Sequence, residues 1–205
     1  MLRRDLPPPP PPAHVLAQLD EDTVRADRAR FLRELDRRSL GIGGLLLLWA
    51  VSALFALGWG FVGMAWMAFE THDGLSLALA YACATLGAGV LAPAGIWFAS
   101  LARRDRQVRG LLRAWAGVYR DAAADARLRA PWRSLTWLLA SLPLAAAGLG
   151  LSYWTASTAR PGYDTYGEVG SVMGLGMILW ITGLLGVAKA AVHFRWAVRA
   201  FPRAQ

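Results

Sequence analysis

The fold is decided by residues 39–69, SLGIGGLLLLWAVSALFALGWGFVGMAWMAF, a run of 31 positions without a charged residue. As a helix, this run measures about 46 Å at about 1.5 Å per residue. The hydrocarbon core of a bilayer is about 30 Å thick, so one helix crosses it with some tilt or overhang. Residues 39–69 therefore predict a transmembrane helix.

Three further uncharged runs follow, at 74–102, 134–159 and 169–188. Each is long enough to cross a bilayer as a helix. The composition agrees, because 56% of the 205 residues are hydrophobic and only 18% are charged, against about 25% charged residues in an average soluble domain. We therefore expect an all-α integral membrane protein that contains a bundle of four transmembrane helices.

The basic residues divide sharply between the two ends of the predicted spans. The N-terminal segment, the segment between the second and third spans, and the C-terminal end hold 21 of the 22 Lys and Arg residues, and the two other connections hold only Arg160. Connections rich in Lys and Arg stay in the cytoplasm. We expect a multi-pass cell-membrane protein with both termini in the cytoplasm. The net charge of +8 then marks the inner face of the bilayer and not a nucleic-acid site. Lys189 is the single lysine, and such Arg-for-Lys usage favours a bacterial source.

These patterns divide the chain into six segments. The N-terminal part consists of a Pro-rich disordered cytoplasmic tail at 1–21 and a cytoplasmic juxtamembrane helix at 22–38. A transmembrane hairpin follows at 39–102, with spans at about 42–66 and 75–101, and then a cytoplasmic amphipathic helix at 103–131. A second transmembrane hairpin at 132–195, with spans at about 134–156 and 169–194, precedes a cytoplasmic C-terminal tail at 196–205.

Both Arg-rich segments have the periodicity of a helix. The first carries a modest apolar stripe at Val24, Phe31, Leu32 and Leu35, and the second a longer one at Val108, Leu112, Trp115, Tyr119, Ala122 and Ala126. The longer stripe predicts an amphipathic helix that ends before Pro131. It either lies along the inner leaflet or pairs with the N-terminal helix as a small cytoplasmic bundle.

Six consecutive prolines at 7–12 precede the first Arg-rich helix. They predict an extended polyproline II segment about 19 Å long. Such a segment serves as a stiff spacer or as a docking strip for an aromatic groove.

Each predicted span carries small residues at helical spacing. They are Ala53, Ala56, Gly60 and Gly63 in the first span, Ala80, Ala84, Ala88 and Ala92 in the second, Ser141, Ala145, Gly148 and Ser152 in the third, and Gly170, Gly174, Gly183 and Gly186 in the fourth. Helices in lipid associate through close backbone approach at such residues. We expect the seams to pack the bundle, and one of them to be available for a homo-oligomer. Replacing Ala84 and Ala88 by Leu would then disrupt assembly.

The sequence offers no candidate catalytic, cofactor-binding or metal-ligating residue. No Asp, Glu, Arg or His lies in the middle of a span, although proton-coupled transporters usually need one there. The outer loops carry Glu70, His72, Asp73, Asp164 and Glu168. These side chains could converge on a divalent cation, but no ligand spacing specifies such a site. Solvated acidic loops are the ordinary case.

We therefore expect a non-enzymatic accessory, scaffold or regulatory subunit that acts through its basic cytoplasmic helices. Its partners are anionic lipid headgroups or a cytoplasmic protein, without a cofactor and without nucleic acid. The alternative is a membrane component of a transporter or channel that has no proton-coupling residue of its own. In that case Pro93 and Pro143, which kink the second and third spans, would border a shared inner vestibule.

Overall fold

The computed structural model describes residues 6–16, 18–118 and 132–200. Over these ranges the chain is helical and has no strand. The helices are α1 (Ala13–Leu16), α2 (Glu21–Ser39), α3 (Ile42–Thr71), α4 (Gly74–Ala116), α5 (Trp132–Thr158) and α6 (Tyr166–Ala200). Three members of the predicted amphipathic stripe, Tyr119, Ala122 and Ala126, lie outside the described residues, as do both ends of the chain.

Helices α3, α4, α5 and α6 are each long and apolar enough to cross a membrane. Each contains all or nearly all of one of the four uncharged runs. The prediction of an all-helical chain with four potential membrane spans is therefore confirmed.

Helix α4 is longer than the predicted second span. It continues without a break from Gly74 to Ala116 over 43 residues, whereas the sequence pattern predicts a separate helix from 103 onward. The junction at 101–106 reads LARRDR and contains neither Gly nor Pro. Ala, Leu and Arg all favour a helix, so nothing in this stretch ends it. The Arg-rich extension of α4 is thus held in line with the span.

The four long helices pack in the order α4, α3, α6, α5. Helix α3 contacts both α4 and α6, and α6 also contacts α5. Helix α2 packs on the extension of α4. A break at Leu40 and Gly41 separates α2 from α3: the Leu40 N–H donates to the Asp36 carbonyl, and Gly41 is the N-cap residue of α3. This break lets α2 turn toward α4.

The interface between α5 and α6 uses the small residues that the sequence pattern predicts. Ser141, Ala145 and Gly148 of α5 are buried. A Cβ atom added to Gly148 would overlap the backbone nitrogen of Trp180, and one added to Gly183 would overlap the backbone of Ala145. The two helices therefore approach each other backbone to backbone.

The predicted seams of the first two spans are only partly used. On α4 the buried positions are Ala80, Cys83, Gly87 and Ala94, whereas Ala84 is half-buried and Ala88 and Ala92 are exposed. On α3, Gly63 meets Ser171, but a Cβ on Gly60 would meet nothing within 4 Å. In an Ala-rich helix several faces carry small residues, and the partner helix selects one of them.

Helices α3 and α6 are joined by polar contacts inside the bundle. The hydroxyl oxygens of Ser52 and Thr182 lie 2.7 Å apart. The indole N–H of Trp59 donates to the Ser171 carbonyl at 3.0 Å. Ser52 and Thr182 are buried, and buried polar groups are costly without such a partner, so this contact helps to fix the pairing of α3 with α6.

Candidate functional site: the basic end of the bundle

Most charged side chains of the described chain gather at one end of the four long helices. We call it the basic end, and it comprises residues 20–44, 98–118, 132–137 and 185–198. The opposite end carries the short connections at 72–73 and 159–165 and is called the acidic end. The basic end combines an apolar core, two carboxylate centres and a groove.

The apolar core of the basic end joins α2 to the extension of α4. Its buried members are Leu32 and Leu35 from α2 and Val108, Leu112 and Trp115 from α4. Leu32 and Leu35 are fully buried. For the described part of the middle segment, the stripe therefore packs against the N-terminal helix.

Two hydrogen bonds to Trp115 complete this contact. Arg28 is 1% exposed, and its Nε donates to the Trp115 carbonyl at 3.3 Å. The indole N–H of Trp115 donates to the carbonyl of Pro8 at 2.9 Å, and Leu6 packs on the same core. The proline-rich segment thus rests against an aromatic side chain of its own chain.

Asp36, near the end of α2, is the first carboxylate centre. Arg133 Nη1 of α5 lies 2.5 Å from Asp36 Oδ2, and His193 Nε2 of α6 lies 3.1 Å from Asp36 Oδ1. The Asp36 and His193 side chains are only 14% and 12% exposed. Low exposure limits solvent screening of the contact between Asp36 and His193. Through its two contacts, the Asp36 carboxylate links α2 to both helices of the second hairpin.

Asp105, on the extension of α4, is the second carboxylate centre. Its two oxygens each lie 2.8 Å from a cation, Arg109 Nη2 of α4 and Lys189 Nζ of α6. Lys189 Nζ also lies 4.9 Å from the centre of the Trp137 ring, within the range of a cation–π contact. The Trp137 indole N–H in turn donates to the Leu40 carbonyl at 3.1 Å. Asp105 and Lys189 thereby connect α4 to α6 across the basic end.

A groove of about 540 Å³ opens between α3, α4 and α6 beside Asp105. Its apolar lining is formed by Gly43, Gly44, Leu47, Leu48, Val51, Phe98, Leu101, Ala102, Val108, Trp137, Leu185, Ala188 and Val192. Its charged lining is formed by Arg104, Asp105, Arg106, Arg109 and Lys189. We call this cavity the basic groove. Four cations against one carboxylate give its mouth a positive charge.

Sequence reasoning did not single out the residues that organise the basic end. Lys189 is expected from its position to reach toward the inner surface, and His193 has no partner in its own sequence neighbourhood. A usable signal exists: Asp36 and Asp105 each lie within three residues of an uncharged run, among arginines. A carboxylate so placed indicates pairing, but the sequence does not say with which cation.

At the acidic end, the carboxylates act mainly on nearby backbone. Glu70 Oε1 accepts a hydrogen bond from Gly167 N at 2.8 Å, which joins α3 to the first turn of α6. Asp73 accepts from Ser76 N and Ser76 Oγ, and these hydrogen bonds hold the pKa of Asp73 below its ordinary value. Glu168 and Thr165 form a reciprocal cap at the start of α6. Among the described residues, no three potential ligands converge on a metal position.

The prolines inside α4 and α5 lie away from the basic groove. Pro93 of α4 and Pro143 of α5 are both exposed, and neither lines the basic groove. The basic groove is bordered instead by α3, α4 and α6, with Trp137 as its contact from α5.

Comparisons with protein-family models, with curated proteins and with solved structures found no match. The fold and the site therefore define a class: a helical protein with four helices able to cross a membrane and with a basic end organised by Asp36 and Asp105.

Proposed function

We propose that α3–α6 span the cell membrane of a bacterium with the basic end in the cytoplasm, and that the protein is a non-enzymatic accessory, scaffold or regulatory subunit. The charge distribution supports the orientation, because connections rich in Lys and Arg remain in the cytoplasm. On this proposal, α2 and the extension of α4 are the two cytoplasmic Arg-rich helices, and anionic lipid headgroups are the constant partner of the basic end.

One observation carries the proposed role: α2 presents an exposed arginine face while its opposite face is fixed to the bundle. Arg30, Arg33 and Arg37 are exposed at helical spacing, and Leu32 and Leu35 are fully buried against α4. A charged surface on a fixed helix binds with little ordering cost. Its occupant on this proposal is an acidic surface of a cytoplasmic protein.

The partner test uses the full chain, purified in mild detergent through a C-terminal tag. We expect a partner in stoichiometric amount with the wild type, and its loss with the triple variant R30Q/R33Q/R37Q. The matched control is Arg160→Gln, which removes an exposed arginine from the acidic end and should leave the partner bound. Solute flux in proteoliposomes that contain only the purified chain would contradict the proposal and favour a transporter or channel component.

The orientation is tested separately with single cysteines in a Cys83→Ala background. Thr71, Ala114 and Thr165 are exposed at opposite ends of the bundle, so each introduced thiol is reachable from its own side. We expect an impermeant thiol reagent to label positions 71 and 165 in intact cells and position 114 only after the cells are opened. The opposite labelling pattern would reverse the proposed topology.

A further inference from the structure

The basic groove separates apolar and charged linings along its length. Leu47, Leu48 and Val51 line its deep part from α3, and Phe98 lines it from α4. The cations of Arg104, Arg106, Arg109 and Lys189 follow toward the open end of α4 and α6. From Gly43 to Val51 the apolar floor extends about 12 Å at about 1.5 Å per residue. Such an arrangement suits an amphiphile with an apolar tail and an anionic head.

The charge at the mouth is only partly neutralised. Asp105 engages Arg109 and Lys189 at 2.8 Å each. Arg104 and Arg106 form no ion pair with any residue in the described ranges. Arg106 is exposed and Arg104 is half-buried, so both guanidinium groups are available to an anion at the mouth.

The walls leave room for a chain-shaped ligand. Helix α3 forms the floor, while α4 and α6 stand on either side of it and are joined at the mouth by the contact between Asp105 and Lys189. A Cβ atom on Gly43 would meet nothing within 4 Å, so the groove stays open where α3 begins. At about 540 Å³, the space is within the range of about 300–1,000 Å³ that is usual for ligand sites.

We infer that the basic groove is a binding site for one anionic phospholipid. The upper part of an acyl chain lies along Leu47, Leu48 and Phe98, and the phosphate lies at the mouth of the groove, which Arg104 and Arg106 both line. Basic pockets between membrane helices on the cytoplasmic side recognise anionic headgroups in this way. The inference rests on the membrane embedding proposed above and is independent of the proposed cytoplasmic protein partner.

The test measures lipid binding to the full chain in detergent by native mass spectrometry, with phosphatidylglycerol and phosphatidylcholine of the same acyl chains. We expect one phosphatidylglycerol per chain to be retained in preference to phosphatidylcholine. The variant R104Q/R106Q should bind phosphatidylglycerol about 25-fold more weakly, the product of a loss of about fivefold for each basic group. Equal retention of the two lipids by the wild type would overturn the inference.

The matched control is R103Q/R113Q, which removes two exposed arginines of the same helix that do not line the basic groove. We expect this variant to keep the wild-type affinity, whereas an equal loss would indicate general surface attraction and overturn a discrete site. A second variant, Ala188→Phe, fills the apolar part and should weaken binding without any change of charge.

Free glycerol 3-phosphate distinguishes a lipid from a soluble phosphate compound. We expect it not to displace phosphatidylglycerol at equal concentration, because it lacks the chains that occupy the apolar lining, and displacement would overturn the lipid assignment. None of these variants changes Arg30, Arg33 or Arg37, so failure of the lipid site and failure of the proposed partner site are measured separately.

Discussion

The two helical hairpins, α3–α4 and α5–α6, use similar small residues but pack them against different groups. Between α5 and α6, glycines face backbone: Gly148 faces Trp180 N, and Gly183 faces Ala145. Between α3 and α4, Gly58 faces the side chain of Leu91, and Gly87 faces a side-chain methyl of Val62 together with backbone. Side chains can shift and backbone cannot, so the second hairpin should tolerate added volume less than the first.

At the basic end, ion pairs and hydrogen bonds connect the first hairpin and the helix before it to the second hairpin. Asp36, on the helix that precedes it, contacts Arg133 and His193 of the second hairpin, and Asp105 of α4 contacts Lys189 of α6. Backbone-to-backbone contact at Gly148 and Gly183 therefore holds the second hairpin, whereas the first hairpin combines side-chain contact at Gly58, mixed contact at Gly87 and charge contacts at the basic end. Four variants test this difference.

The largest effect is expected at Gly148. Replacing it by Val puts methyl groups into the backbone of α6, and overpacking of this kind costs about 3 kcal/mol of unfolding free energy. Thermal unfolding in detergent measures the loss. Gly150→Val is the control, because a Cβ at Gly150 meets nothing within 4 Å, and it should change stability by less than about 0.5 kcal/mol. Equal losses for the two variants would contradict backbone-to-backbone packing.

The next effect is expected at Asp36. Asp36→Ala leaves Arg133 and His193 without their carboxylate, and breaking such a partly buried contact costs about 2–3 kcal/mol after allowance for its exposure. Hydrogen exchange should show α2 amides losing protection while α5 and α6 keep theirs. Asp27→Ala changes an exposed carboxylate of the same helix and should leave α2 protected. Unchanged protection in Asp36→Ala would mean that the apolar core alone holds α2.

A smaller effect distinguishes two glycines of α4. Gly87→Ala brings a methyl to 3.0 Å from a Val62 methyl and 3.1 Å from the Gly58 carbonyl oxygen, so it should destabilise the first hairpin by about 1 kcal/mol. Gly89→Ala meets nothing within 4 Å and gains helix propensity, so its stability should stay equal or rise. Chemical unfolding of the pair measures the difference. A larger loss of stability in Gly89→Ala than in Gly87→Ala would show that α4 packs on α3 through the opposite face.

The smallest effect is expected from Ala84→Leu combined with Ala88→Leu. Ala88 is exposed and Ala84 half-buried. The free energy of unfolding of the double variant should therefore differ from that of the wild type by less than about 0.5 kcal/mol. The sequence pattern predicts that this pair disrupts assembly, and light scattering of the same samples tests that prediction. A fall in oligomer mass with unchanged unfolding would assign the homo-oligomer contact to this face of α4. An unchanged oligomer mass would show that this face of α4 forms no homo-oligomer contact.

Much of the fold is readable from the sequence because its signals are local. The four uncharged runs predict α3–α6, and the small residues from Ser141 to Ser152 predict the packing face of α5. The face of α4 is not readable in the same way. Ala80, Ala84 and Ala88 form as good a stripe as Ala80, Cys83 and Gly87, and only the neighbouring α3 decides between them.

The candidate site depended still more on tertiary structure. The arginine content of the two segments is plain in the sequence, and so is the apolar stripe through Val108 and Leu112. The pairing of Asp36 with His193, and of Asp105 with Lys189, joins residues far apart in the chain. No local pattern encodes such a pairing, because any of several arginines could serve each carboxylate equally well.

The sequence by itself determined four apolar helices and the concentration of 21 of the 22 Lys and Arg residues in three of the five segments outside the apolar runs. Hydrophobic length and charge are properties of a segment and need no knowledge of its neighbours. Only the tertiary structure decided which helix faces meet, which cations the two carboxylates hold, and that a groove opens between α3, α4 and α6. Those outcomes depend on the volume and charge that distant segments bring to the same place, and folding alone brings them together.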